Sequence, residues 1–192
     1  MTTTAASLDT LTGSYRIDQA HSRLGFVARH AMVTKVRGTF DDFDGSGSFD
    51  AEHPERSHLE VTIKAASINT RNADRDAHLR GNDFFSMDEY PEIVFRSTAL
   101  EQAGPTAYRL AGDLTMKGTT KPVTFDLEFT GAAVDPFGNQ RIGLEGTANV
   151  NRKDWGVSWN APLEAGGVLV SERITIELEV SAIRVDEVAS AS

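Results

Sequence analysis

Apolar and polar residues alternate with a period of two through most of this chain, which restricts it to strands buried on one face. Leu59, Val61, Ile63 and Ala65 alternate with Glu60, Thr62 and Lys64. Val123, Phe125, Leu127 and Phe129 alternate with Thr124, Asp126 and Glu128, and Ile174, Ile176, Leu178, Val180 and Ala182 with Arg173, Thr175, Glu177, Glu179 and Ser181. Weaker stretches over 108–116 and 142–150 keep the same period. The pattern predicts an all-β fold of about eight strands in an antiparallel sheet with one buried face.

The connections agree with that. Gly104-Pro105, Met116-Lys117-Gly118 and Pro136-Phe137-Gly138-Asn139 read as turns, and Gly45-Ser46-Gly47 reads as a further hairpin turn. One short helix is predicted over 73–80, with Asn72 as N-cap, Asp74 in the first turn and Arg80-Gly81 as the stop. A helical stub is predicted near 30–34, where HAMVT interrupts the alternation that runs from Leu24 to His30 and restarts at Val36. The strand from Val168 to Arg184 is long enough to bend. A bending strand, one-sided burial and a lone helix point to a closed barrel, which also removes exposed sheet edges.

At 192 residues the chain suits one domain with a sizeable core. The expected division is a flexible polar tail over 1–13, a single domain over 14–185 and a short acidic tail over 186–192. The net charge of −9 argues against nucleic acid, which calls for a basic surface, and against docking on anionic membranes. The absence of cysteine excludes disulfides, thiolate catalysis and cysteine-ligated zinc. No apolar run is long enough to span a membrane, so no stable membrane insertion is expected. No basic stretch followed by an apolar one opens the chain, and the expected location is cytoplasmic.

Four blocks carry a family resemblance. The first has Tyr15, Ile17-Asp18, His21-Ser22, Phe26, His30 and Gly38-x-Phe40; the second is RDAHLRGNDFFSMDEYPEIVFRS, 75–97. The third is LAGDLTMKGTTKPVTFDLEF, 110–129, and the fourth the Arg-x-Asp-Trp-Gly turn in NRKDWGVSWN, 151–160. In order and content they resemble the YceI-like family of lipid- and polyisoprenoid-binding proteins. The resemblance implies a lipocalin-like eight-stranded barrel with an elongated apolar tunnel for a polyisoprenoid, isoprenoid-quinone or fatty-acyl chain. It also implies a homodimer. Many family members carry a leader and are periplasmic, a pattern from which this chain departs.

An eight-stranded barrel can be filled by its own side chains or hold one small ligand, and periodicity leaves both open. With the resemblance, the cavity-lining set is Leu24, Phe26, Ala28, His30, Phe40, Val61, Ile63, Leu110, Leu114, Phe125, Leu127, Leu144, Ile176 and Leu178. Ala28, Gly38, Gly112, Gly146 and Ala148 fall on the same faces, where small residues are expected to leave volume.

His30, Arg75 and His78 are the head-group candidates, His30 because it ends an apolar face near the expected barrel mouth. Arg71, Arg75 and Arg80 also read as a solvated helix face, and His78 as a partner of Asp74. His21 reads as a structural turn histidine, while Trp155 and Trp159 read as a plug for one barrel end. No pair of histidines has helical ligand spacing, so no metal is expected, and no cofactor beyond a bound isoprenoid or acyl lipid. No Gly-x-Ser-x-Gly elbow, Ser-His-Asp spacing or phosphate-cradling glycine loop is visible, so no catalytic residue is assigned. The expectation is non-covalent binding, sequestration or transport of an apolar chain. The alternatives are an enzyme acting on a lipid-like or polyketide-like substrate with His30 or His78 as acid/base, and an interaction protein with a filled barrel.

Overall fold

The computed structural model describes residues 8–163 and 169–185. Eleven strands follow in chain order: β1 Gly13–Ile17, β2 Arg23–His30, β3 Thr34–Phe40, β4 Phe43–Phe49, β5 His58–Lys64, β6 Ile68–Asn69, β7 Glu92–Gln102, β8 Ala107–Met116, β9 Thr119–Val134, β10 Gln140–Asn151 and β11 Arg173–Val185. The α-helix, α1, spans Ala73–Arg80 between β6 and β7. Eight of the strands pair antiparallel in the order β1-β4-β5-β7-β8-β9-β10-β11, and β11 returns to β1, so this ring closes into a barrel. Closure leaves no edge within the ring.

β11 makes the closure possible because it has two partners along one side. Residues 175–179 pair with β2, and 182–185 pair with β1. β1 and β2 therefore act as one strand broken at Asp18–Ser22. Asp18 caps the 3-10 turn by accepting from the Ala20 N–H at 3.1 Å. The ladder is repaired from both sides of the break. The Asp18 N–H donates to the Ser181 carbonyl at 2.8 Å, and the Ser181 N–H donates to Ser22 Oγ at 3.0 Å. Beyond the break the wall forks: β1 stays beside β4, whereas β2 leaves to pair with β3, which ends against β6.

Residues 31–33 form a tight turn, not the helical stub expected near 30–34. Ala31 and Met32 have φ of 50° and 61°, and His30 still pairs with Thr34. The cross-strand pairs Leu24–Phe40 and Ala28–Val36 keep β2 and β3 in register to the last residue, and a left-handed turn matches the twist of the two strands. Gly45-Ser46-Gly47 is likewise not a hairpin turn but the middle of β4. A Cβ on Gly45 would lie 2.5 Å from Ile17 Cδ1, and one on Gly47 would lie 2.3 Å from the His58 carbonyl oxygen. The glycines are there because neighbouring strands approach that closely.

α1 runs as expected, with Asn72 Oδ1 accepting from the Arg75 N–H at 2.9 Å and Gly81 ending it. Part of the segment expected to be a flexible tail is ordered: Leu8–Leu11 form a 3-10 turn. Leu11 is only 1% exposed, and the Tyr15 hydroxyl donates to its carbonyl at 2.7 Å. The expected tail 186–192 and the start of the long strand at Val168 lie outside the described residues.

Candidate functional site

The inward faces of the ring line a cavity of about 330 Å³ whose wall is almost entirely carbon. At one end it is bounded by Leu11, Tyr15, Ile142 and Ala182, which pack together as a cluster of their own. The middle is walled by β2, β5, β7, β8, β9 and β11 through Leu24, Val61, Phe95, Leu110, Phe125 and Leu178. The other end is capped by residues from outside the ring. The segment after α1 brings Phe84, 4% exposed, and Phe85; the turn after β10 brings Trp155 and Val157. Phe85 packs edge-on to Phe40 with centroids 6.1 Å apart, and Trp155 Nε1 donates to the Leu114 carbonyl at 2.9 Å. Trp159 stands on Phe84 at 5.3 Å, so both tryptophans sit at this capped end.

All the sequence-predicted cavity residues line this space except His30. His30 has the right parity along β2, but β2 and β3 run past the barrel wall after the fork. His30 is therefore exposed, tied through its backbone to Thr34 and bridged to Val170. The other head-group candidates are also elsewhere. Arg75 donates Nε to Thr70 Oγ1 and Nη2 to the Thr70 carbonyl, both at 2.7 Å, which holds the β6–α1 corner. His78 is about two-fifths exposed at its side chain (42%) and pairs with Asp83 Oδ2 at 2.8 Å, not with Asp74, while its ring edges Trp159. Arg80 spends its guanidinium on the Ala66 and Ile68 carbonyls.

The small inward residues do not all leave room. A Cβ on Gly38 would meet Phe26 Cζ at 2.3 Å, one on Gly112 would meet Phe95 Cζ at 2.4 Å, and one on Gly146 would meet Leu127 Cδ2 at 2.6 Å. Large neighbours fill these glycine gaps, so the cavity arises from the diameter of the ring rather than from missing side chains.

The residue that sequence reasoning missed is Arg152. It lines the capped end of the cavity and is 5% exposed. Burial pushes its guanidinium below the usual arginine value, with a small opposing effect from the Glu172 carboxylate. It stays charged, because arginine does not deprotonate in proteins. The signal was present. Ile142, Leu144, Gly146, Ala148 and Val150 face inward along β10, and Arg152 is the next position in phase. Asn151 Oδ1 accepts from the Lys153 N–H at 3.0 Å and turns the chain there, keeping Arg152 over the barrel end.

At the opposite end Arg141 joins two carboxylates, donating Nη1 to Asp18 Oδ2 and Nε to Asp135 Oδ2, both at 2.7 Å. Its guanidinium lowers both carboxyl pKa values, that of Asp135 well below the usual carboxylate range. This clamp fastens the β1–β2 break to the β9–β10 hairpin and lies outside the cavity lining. Among the described residues no group of three His, Asp or Glu side chains is placed to hold a metal, and no helix is long and apolar enough to cross a membrane.

Comparison with known proteins bears on all of this. A model of the YceI-like domain matches residues 15–182. UPF0312 protein SA2479 of Staphylococcus aureus (strain N315) is 39% identical over 165 residues, covering 85% of this chain and 94% of that one. The crystal structure of the Campylobacter jejuni YCEI protein is 30% identical with a TM-score of 0.71, over 82% of this chain and 90% of that one. A polyisoprenoid binding domain from Saccharophagus degradans shares the fold, with a TM-score of 0.65 at 14% identity, over 89% of this chain and 98% of that one. With the match running from Tyr15 at the start of the barrel to Ala182 on its closing strand, the chain belongs to the YceI-like family.

Proposed function

We propose that this protein binds one apolar chain, of polyisoprenoid, isoprenoid-quinone or fatty-acyl type, non-covalently inside the barrel, and acts by sequestering or carrying it. The observation that carries the reading is the carbon-walled cavity of about 330 Å³ inside the barrel. Its size falls at the lower end of small-molecule sites, roughly 300–1,000 Å³. Each methylene buried there gains about 0.8 kcal/mol, so a chain of about ten carbons supplies enough gross driving force for firm binding. The Saccharophagus degradans domain, by its name a polyisoprenoid binder, supports the view that this fold accommodates such a chain.

The enzyme alternative receives no support from the side-chain arrangement. His30 and His78, its acid/base candidates, are both exposed outside the cavity lining. The test is organic extraction of natively purified protein followed by mass spectrometry. A stoichiometric polyprenyl, quinone or acyl species is the expected result. An empty extract, with no uptake of added long-chain ligand by the folded protein, overturns the reading.

A further inference from the structure

Arg152 is a buried cation among the residues that line an almost wholly apolar cavity. Its Nη1 donates to the Val157 carbonyl at 2.6 Å, Nε to the Ser171 carbonyl at 2.9 Å and Nη2 to the Val170 carbonyl at 3.3 Å. A guanidinium has five N–H donors, and among the described residues these bonds account for three, leaving one on each terminal nitrogen. Every partner is a neutral carbonyl. Among the described residues no carboxylate lies within ion-pair distance of it. The charged group acting on it from nearby is Glu172, whose half-exposed carboxylate is bound to Lys153 Nζ at 2.6 Å. Phe84 presents its ring 6.0 Å from the guanidinium carbon.

Among the described residues the contacts of this buried cation are carbonyl dipoles and a ring face, with Glu172 acting from farther off. Such a cation is costly to bury, and an anion reaching it gains more than the same contact would in water. The rest of the lining has no comparable group. Glu145 and His58 touch the cavity from outward-facing strand positions, and both are exposed. We propose that Arg152 is the head-group site of this cavity, and that it selects apolar chains ending in an anionic oxygen acid, a carboxylate or a phosphate, over chains with neutral heads. This rests on the apolar-chain reading above and specifies its ligand. The planar fork of arginine suits both acids.

The test compares three probes of one chain length on the full-length protein: hexadecanoic acid, hexadecyl phosphate and hexadecan-1-ol. The acid or the phosphate is expected to bind at least about tenfold more tightly than the alcohol at neutral pH. Whichever of the two binds more tightly assigns the head as carboxylate or phosphate. In Arg152→Gln the preference over the alcohol is expected to fall to within about twofold. Because Arg152 also braces the 157 and 170–171 carbonyls, that variant can fail to fold, and a measurement on the unmodified protein covers this case. The carboxyl carbon of bound 1-13C-hexadecanoic acid is expected to titrate at least about one unit below butanoic acid in water. Equal affinities for all three probes, or a bound carboxyl titrating like butanoic acid, overturn the Arg152 assignment and leave the cavity reading standing. Failure of all three to bind folded protein overturns the cavity reading itself.

Discussion

Phe26 covers Gly38. The two residues face each other across β2 and β3, and the phenyl ring occupies the space a side chain at 38 would need, with Cζ 2.3 Å from the position of its Cβ. Because the obstacle is the far end of a side chain beside a cavity, Gly38→Ala is expected to fold with the ring pushed inward, losing about 1–3 kcal/mol. Gly112→Ala is expected to lose more. Its Cβ meets the Arg96 carbonyl oxygen at 2.6 Å as well as the Phe95 ring, and strand backbone cannot step aside. Urea unfolding of both variants checks the ranking; the reverse order refutes it.

Ala28 lines the cavity opposite Val36 and is half-buried. Ala28→Trp is expected to fill the space a ligand would take and to lower bound or captured apolar ligand at least about tenfold, with Tm lowered by less than about 10 °C. Ligand content by extraction and Tm by calorimetry are read on the same sample. Full ligand content in the folded variant would count against binding at that part of the cavity.

Trp155 is 2% exposed, and its indole N–H is the partner of the Leu114 carbonyl. Trp155→Phe keeps most of the apolar volume but removes that hydrogen bond, at an expected cost of about 0.5–1.5 kcal/mol. Trp155→Ala adds a cavity and is expected to cost about 3–5 kcal/mol. Equilibrium denaturation of the two variants separates the hydrogen bond from the packing.

Asp18 and Asp135 share Arg141, which lowers both carboxyl pKa values below those of the unfolded chain. As pH falls, the unfolded state takes up these protons first. The stabilisation is complete above about pH 5 and is lost progressively as pH drops below about 4 toward the folded values. Arg141→Met is expected to lower the urea midpoint at pH 7, and the gap from the unmodified protein is expected to narrow by pH 3. A gap that stays constant with pH would show that Arg141 contributes through packing alone.

Much of this fold follows from local pattern. Alternation along β5, β9, β10 and β11 fixes which side chains share a face, because successive Cβ atoms in a strand must point to opposite sides. Leu24, Val61, Phe125 and Leu178 were therefore identifiable as inward without any tertiary information, and the Asn72 cap and Gly81 stop of α1 depend only on residues within a few positions. What misled the reading was non-local. Gly45-Ser46-Gly47 has the composition of a turn, yet lies mid-strand because β5 and the Ile17 side chain close on it. His30 keeps inward parity, but parity does not say where a strand leaves the wall, and the fork beyond Asp18–Ser22 carries it out.

Strand type, the inward set and the resemblance in the four ordered blocks are legible in the chain alone, since each is written in neighbouring residues. The filling of glycine gaps from across the sheet, the closing of the ring around an open space and the burial of Arg152 at its end are set by the folded arrangement. Those outcomes depend on which side chains arrive from strands far apart in the chain, and a distance between them exists only once β11 has closed the barrel.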